Sequence, residues 1–185
     1  MAKIPIKVIS VKDIHDNSHI TTVIDADYVL RESSNYSQQD MDEFRKRYKA
    51  TMESIRKDIE QAKKSPPPER PHQFWLIGKC LSEFLDQLDA EFVVTNYREA
   101  FQRELGLTDS YIGILLDFPK FFSEPETKWG LSMGYYFELL LKARKLQSAG
   151  KLETKKKELM QTAKAGKLQG HKKYRQSLND FIGSQ

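Results

Sequence analysis

Residues 164–182, KAGKLQGHKKYRQSLNDFI, carry side chains suited to gripping nucleic acid. Lysine neutralises phosphate, arginine can hold guanine through two hydrogen bonds, and glutamine and asparagine can read adenine. In a helical register Tyr174, Leu178 and Ile182 share one face, with Phe181 near it. Lys172, Gln176 and Asn179 fall on the opposite face, flanked by His171, Lys173 and Arg175. Just upstream, TKKKELMQTAK gives a helix with Leu159 and Ala163 inward, and AGKLQG reads as a turn. The candidate DNA-binding set is therefore Lys155, Lys156, Lys157, Lys164, Lys167, His171, Lys172, Lys173, Arg175, Gln176 and Asn179. The competing reading is a solvated terminal helix. The mixture of amides, arginine and lysine suits a recognition helix better than an all-lysine face would.

Charge is distributed in the same sense. Residues 1–141 carry a formal charge of −5, residues 142–175 carry +10 and residues 176–185 carry −1, within a net +4. A basic block beside an acidic body is an electrostatic footprint whose commonest partner is phosphate.

Other constellations point away from catalysis. Asp25 and Asp27 sit two apart in VIDADYV, on one face of an expected strand. Acidic pairs on strands can hold Mg²⁺, but a lone pair on the polar face of an amphipathic strand is usually solvated. His15 and His19 lie in HDNSH, which has no helical character to bring them together as zinc ligands, and His72 and His171 are isolated. Cys80 lies beside an apolar stripe and reads as buried packing. With no phosphate-cradling glycine loop and no serine nucleophile motif, the expectation is a non-enzyme without metal or cofactor. A single cysteine excludes an intrachain disulfide framework and fits a reducing compartment. No apolar run approaches the roughly 20 residues of a membrane helix, and the N-terminus carries no export signal, so the expected location is the cytoplasm, away from membranes.

These residues need elements to position them, and the expected fold class is mainly α. Residues 1–65 read as an N-terminal arm. Ile4, Ile6 and Val8 alternate, and Thr22 to Leu30 alternates again, which suggests a short β hairpin across DIHDNSH. From Ser37, a plausible N-cap, Met41, Phe44, Tyr48, Met52, Ile55 and Ile59 follow helical spacing to about Lys64. This stripe could pack on the chain itself or pair two copies as a homodimer through Met41–Ile59. SPPPERP then stops the helix, and residues 66–71 read as a proline-rich linker. Residues 72–185 read as a helical domain with helix-turn-helix-like units. Its first stripe is Phe74, Ile77, Leu81, Phe84 and Leu88.

A first helix-turn-helix candidate spans residues 96–118. Gly106 suits the left-handed end of one helix, and Thr108 suits the cap of the next. Phe101, Leu105, Leu107, Ile112 and Leu115 fall at the positions such a unit buries. The second helix offers Asp109 and Asp117 but no lysine or arginine up to Asp117, so it reads as architectural: a helix facing phosphate should not be acidic. The second candidate starts at LSMGYYFELLL, where Ser132 can cap a helix carrying Tyr136, Leu139 and Leu140, and ends in the basic stretch already described.

FWLIGKCLSEFL, ELGLTDSYIGILLDFPKFF, LSMGYYFELLL and AKAGKLQGHKKYRQSLNDFI, in that order, resemble the helical N-terminal domain of the YhcG-like family of putative nucleases over residues 74–182. The helical order is also similar, more weakly, to DNA-binding domains of partition proteins. The nuclease-family domain is thought to contact DNA or partners, while a separate C-terminal domain would do the chemistry. The resemblance therefore implies binding without cleavage, in a plasmid, phage or defence setting. The expected function is non-enzymatic binding of double-stranded DNA by the basic C-terminal helices. The alternative is an interaction module or subunit of a larger complex.

Overall fold

The computed structural model describes residues 4–7, 38–95 and 97–183. The expected mainly α class holds: eight α-helices carry the fold among the described residues. They are α1 (Gln38–Lys64), α2 (Arg70–Glu91), α3 (Tyr97–Leu105), α4 (Asp109–Phe121), α5 (Met133–Leu140), α6 (Ala143–Ser148), α7 (Leu152–Lys164) and α8 (His171–Gly183). A short 3-10 turn, Glu124–Lys128, precedes α5. Two four-residue strands, β1 (Ile4–Lys7) and β2 (Phe92–Thr95), pair in parallel with Ile4 opposite Phe92. The expected hairpin's second strand, at 22–30, lies outside the described residues, as do Ser37, Asp25, Asp27, His15 and His19. The described partner of the first strand comes instead from beyond α2.

The chain divides into two compact units. The first comprises residues 1–59 and 80–113, and the second residues 60–79 and 114–185. The proline run, expected as a linker between an arm and a domain, falls inside the second unit.

In the first unit the helical stripe of α1 is the core. Tyr48, Met52, Ile55 and Ile59 are buried, and the Tyr48 ring lies 6.0 Å from that of Phe84 on α2. These four side chains pack inside the unit, while the side chains of Met41 and Phe44, the stripe's first two positions, lie outside the described residues. Leu81, Phe101, Leu105 and Ile112 are also buried. Arg56 donates to the Glu104 carbonyl at 2.7 Å and to its carboxylate at 3.1 Å, satisfying a carbonyl near the end of α3. Cys80 is exposed rather than buried. It adjoins the buried stripe in sequence, but the helical turn carries it past the edge that Leu81 and Phe84 occupy. Partial burial, with Asp58 and Glu83 nearby, still raises its thiol pKa.

In the second unit the prolines do not extend as polyproline. The Glu69 N–H donates to the Pro66 carbonyl at 3.0 Å, and Arg70 Nε donates to the Ser65 carbonyl at 2.8 Å, closing a turn that feeds α2. Pro71 fits the first turn of α2 because the N–H it lacks has no helical acceptor there. Gly78 lets this part of α2 approach α4 closely: a Cβ at Gly78 would lie 2.1 Å from the Leu115 carbonyl oxygen. The core continues as an aromatic cluster. Phe122 lies 5.5 Å from Phe118, 5.3 Å from Tyr136 and 6.2 Å from Trp129. Trp75 Nε1 donates to the Phe122 carbonyl at 2.7 Å and the Tyr136 hydroxyl to the Glu126 carbonyl at 2.8 Å, so the polar tips of these rings are satisfied.

Candidate nucleic-acid interface

The last basic helix, α8, is held by α5, and α7 packs on α6. Met133–Leu140 is almost entirely apolar, and Tyr135, Tyr136, Leu139 and Leu140 are buried. Its main described partner is α8, docked through Leu178, which is 1% exposed. Tyr135 lies under the start of α8: its ring is 4.3 Å edge-on from His171 and 5.7 Å from Tyr174. Its hydroxyl donates to the Gln169 carbonyl at 2.6 Å, which ties down the turn before α8. Gly134 makes room, since a Cβ there would lie 2.5 Å from the His171 ring. His171 Nε2 and Ser132 Oγ are 3.0 Å apart and form a hydrogen bond between the first turns of the two helices.

The turn itself follows from Gly166, whose φ of 66° suits glycine and ends α7. The Gly166 N–H donates to the Ala163 carbonyl and the Lys167 N–H to the Thr162 carbonyl, both at 3.0 Å, the paired bonds of a Schellman motif. Leu168, Gln169, Gly170, His171, Lys172 and Lys173 then line an open concavity at the start of α8.

The structure divides the candidate residues into two groups. Lys157, Lys164, Lys167, Lys172, Lys173 and Asn179 are exposed, and none of the five lysines has a described carboxylate partner. Gln176 is also exposed and donates to Asp180 at 2.6 Å. The remaining cations are engaged. Lys156 is buried at 5% exposure, lies 5.0 Å above the Phe122 ring, and pairs with Glu126 at 3.0 Å and Glu153 at 2.8 Å. It is a structural cation and leaves the candidate surface, because helical period alone did not separate it from its exposed neighbours. Lys155 pairs with Glu158 at 2.7 Å and caps the Phe181 ring at 4.0 Å. Arg175 donates to both oxygens of Glu138, through Nε at 2.8 Å and Nη2 at 2.5 Å. These hydrogen bonds, with the carboxylate's charge, raise the guanidinium pKa above its already high ordinary value. Arg144, also within the basic block, holds Asp117 through two hydrogen bonds at 3.0 Å.

The basic footprint is thus narrower than the sequence charge. Four of its cations, Arg144, Lys155, Lys156 and Arg175, sit in ion pairs. Of the rest, Lys164, Lys167, Lys172 and Lys173 lie from the end of α7 through the turn to the outward face of α8, while Lys145, Lys151 and Lys157 are exposed on or beside α6 and α7.

Glu138 was not picked out by sequence reasoning, although a signal was present. It is an acid inside the apolar run YYFELLL, and a carboxylate at a core position needs a cation. The phenols of Tyr136 and Tyr174 are both pushed well above their usual range by burial.

The first helix-turn-helix candidate folds as its turn chemistry implies. Gly106 has φ 62°, and the Tyr111 N–H donates to Thr108 Oγ1 at 3.3 Å. Asp109 pairs with Arg98 at 3.6 Å, and Asp117 is held by Arg144. The acids of α4 are therefore occupied within their own units. No family model, curated protein or solved structure matches the chain.

Proposed function

We propose that the chain is a non-enzymatic DNA-binding protein that engages the duplex through the α7–α8 turn and the outward face of α8. One observation carries this reading. From Leu159 to Asn179 the sequence holds no carboxylate, and Lys164, Lys167, Lys172 and Lys173 in that stretch are exposed on a turn and helix docked to α5. Clustered cations draw phosphate by releasing its counterions, while Gln176 and Asn179 add groups able to meet base edges. The test is an electrophoretic shift with a random 20-base-pair duplex across salt concentrations. The four lysines alone contribute roughly −3.6 to the log–log slope. Single-stranded DNA and RNA of equal length run beside it, and the duplex should bind most tightly. With Mg²⁺ or Mn²⁺ present the duplex should stay intact; cleavage would overturn the non-enzyme reading.

A second reading is a module that meets an acidic protein surface. Leu168, 36% exposed among the lysines of the turn, favours it, since a large apolar side chain gains little from phosphate. Binding without salt dependence, or none to any nucleic acid, would put this reading first.

A further inference from the structure

We infer that Glu138, an acid, is a positioning residue for DNA binding: it holds Arg175 so that the guanidinium presents its remaining edge to a backbone phosphate. This rests on the DNA-binding reading above and adds a residue from α5, outside the basic block.

Glu138 is 4% exposed on α5, and the Arg175 side chain on α8 is 58% exposed. Nε and Nη2 meet the two carboxylate oxygens at 2.8 and 2.5 Å. A guanidinium carries five N–H donors in one plane, so this grip uses two and leaves three, two of them on the terminal Nη1/Nη2 edge. The geometry of a bidentate pair is rigid, so the free edge is fixed rather than swept about by the long side chain. Lys172, three residues before, and Asn179, four after, share that side of α8 and are exposed. Arg175 thus stands between the core-facing side of α8 and its cationic side. A buried carboxylate needs a cation, yet a lysine here would match only one of its oxygens at a time. An arginine satisfies Glu138 and still has donors to offer outward.

Glu138→Gln separates this from simple electrostatics by the sign of its effect. The substitution keeps shape and one acceptor and raises net charge by one. Charge alone predicts tighter binding to the random 20-base-pair duplex. Positioning predicts binding weaker on the order of tenfold, the scale of one charge-assisted contact, with the salt slope shallower by about 0.9. Circular dichroism should show the variant folded at the assay temperature. A loosened fold would lower the active fraction without changing the slope. Should Glu138→Gln fail to fold, Arg175→Lys keeps the net charge and is expected to weaken duplex binding by a similar factor. Affinity and slope equal to or greater than those of the unsubstituted protein, in whichever variant folds, would overturn the inference. If the unsubstituted chain itself shows no salt-dependent duplex binding, the DNA-binding reading fails and takes this inference with it.

Discussion

Two turns in this chain use the same local chemistry for different ends. α3 ends at Gly106 and α7 at Gly166, with φ of 62° and 66°. After each, the next residue's N–H reaches back five positions, Leu107 to Gln102 at 3.2 Å and Lys167 to Thr162 at 3.0 Å. The helices that follow then diverge. α4 buries Ile112, Ile114, Leu115, Leu116 and Phe118, while in α8 only Leu178 is fully buried. α4's acids are tied to Arg98 and Arg144, while α8 leaves its lysines facing outward. A shared turn therefore says little about role. The apolar fraction of the second helix decides whether it becomes core or surface.

Substitutions can break that contrast or sharpen it. The largest stability effect should come from the α3–α4 side: Phe101→Ala, at a fully buried ring, should cost about 3–5 kcal/mol in chemical denaturation. Leu178→Ala should cost about 2–5 kcal/mol and release α8, so DNA affinity should fall with it. Affinity without stability is the expectation for Lys172→Ala with Lys173→Ala. The melt should move by no more than about 0.5 kcal/mol, while the salt slope should shallow by about 1.8. Ser110→Ala in α4 should leave both unchanged. Thr108→Ala removes the α4 cap and should cost about 1 kcal/mol, with DNA binding intact.

A further small effect concerns a buried hydroxyl. Tyr174 Oη has no hydrogen-bond partner in the described structure, so Tyr174→Phe should be neutral or stabilising by up to about 1 kcal/mol near pH 7. The same phenol has its pKa raised on folding. An unfolded tyrosine loses its proton near pH 10, whereas the folded one keeps it, so the folded state binds more protons there. Its contribution is present in full below about pH 10 and is lost as pH rises beyond. Thermal melts from pH 8 to 11 should show stability falling at the alkaline end, less steeply in Tyr174→Phe.

Much of this architecture was legible in residue order. The stripe of α1, the glycine ends of α3 and α7, the cap at Thr108 and the inward Leu178 all follow from period and turn chemistry, which are local. What was not legible depends on tertiary partners. Lys156 and Lys157 are neighbours of one type, yet one is buried between Glu126 and Glu153 and the other is exposed. The inward half of Arg175's role was hidden because nothing within α8 announces Glu138, 37 positions away. Cys80 was placed on the wrong side of α2 by one step of the helix. The prolines looked extended because their turn depends on the Ser65 carbonyl meeting Arg70.

Gly78 sets a rule for how this sequence can drift. The carbonyl oxygen of Leu115 would stand 2.1 Å from any Cβ at that position, and it belongs to a helix backbone that cannot swing aside like a flexible side chain. Neighbours such as Phe74 and Ile77 can trade for other apolar residues of similar volume with modest loss. Position 78 has no such latitude: a descendant with even alanine there must re-space two helices at once. Distant kin that keep this crossing should therefore share a glycine at this point, even where little else in the sequence still aligns.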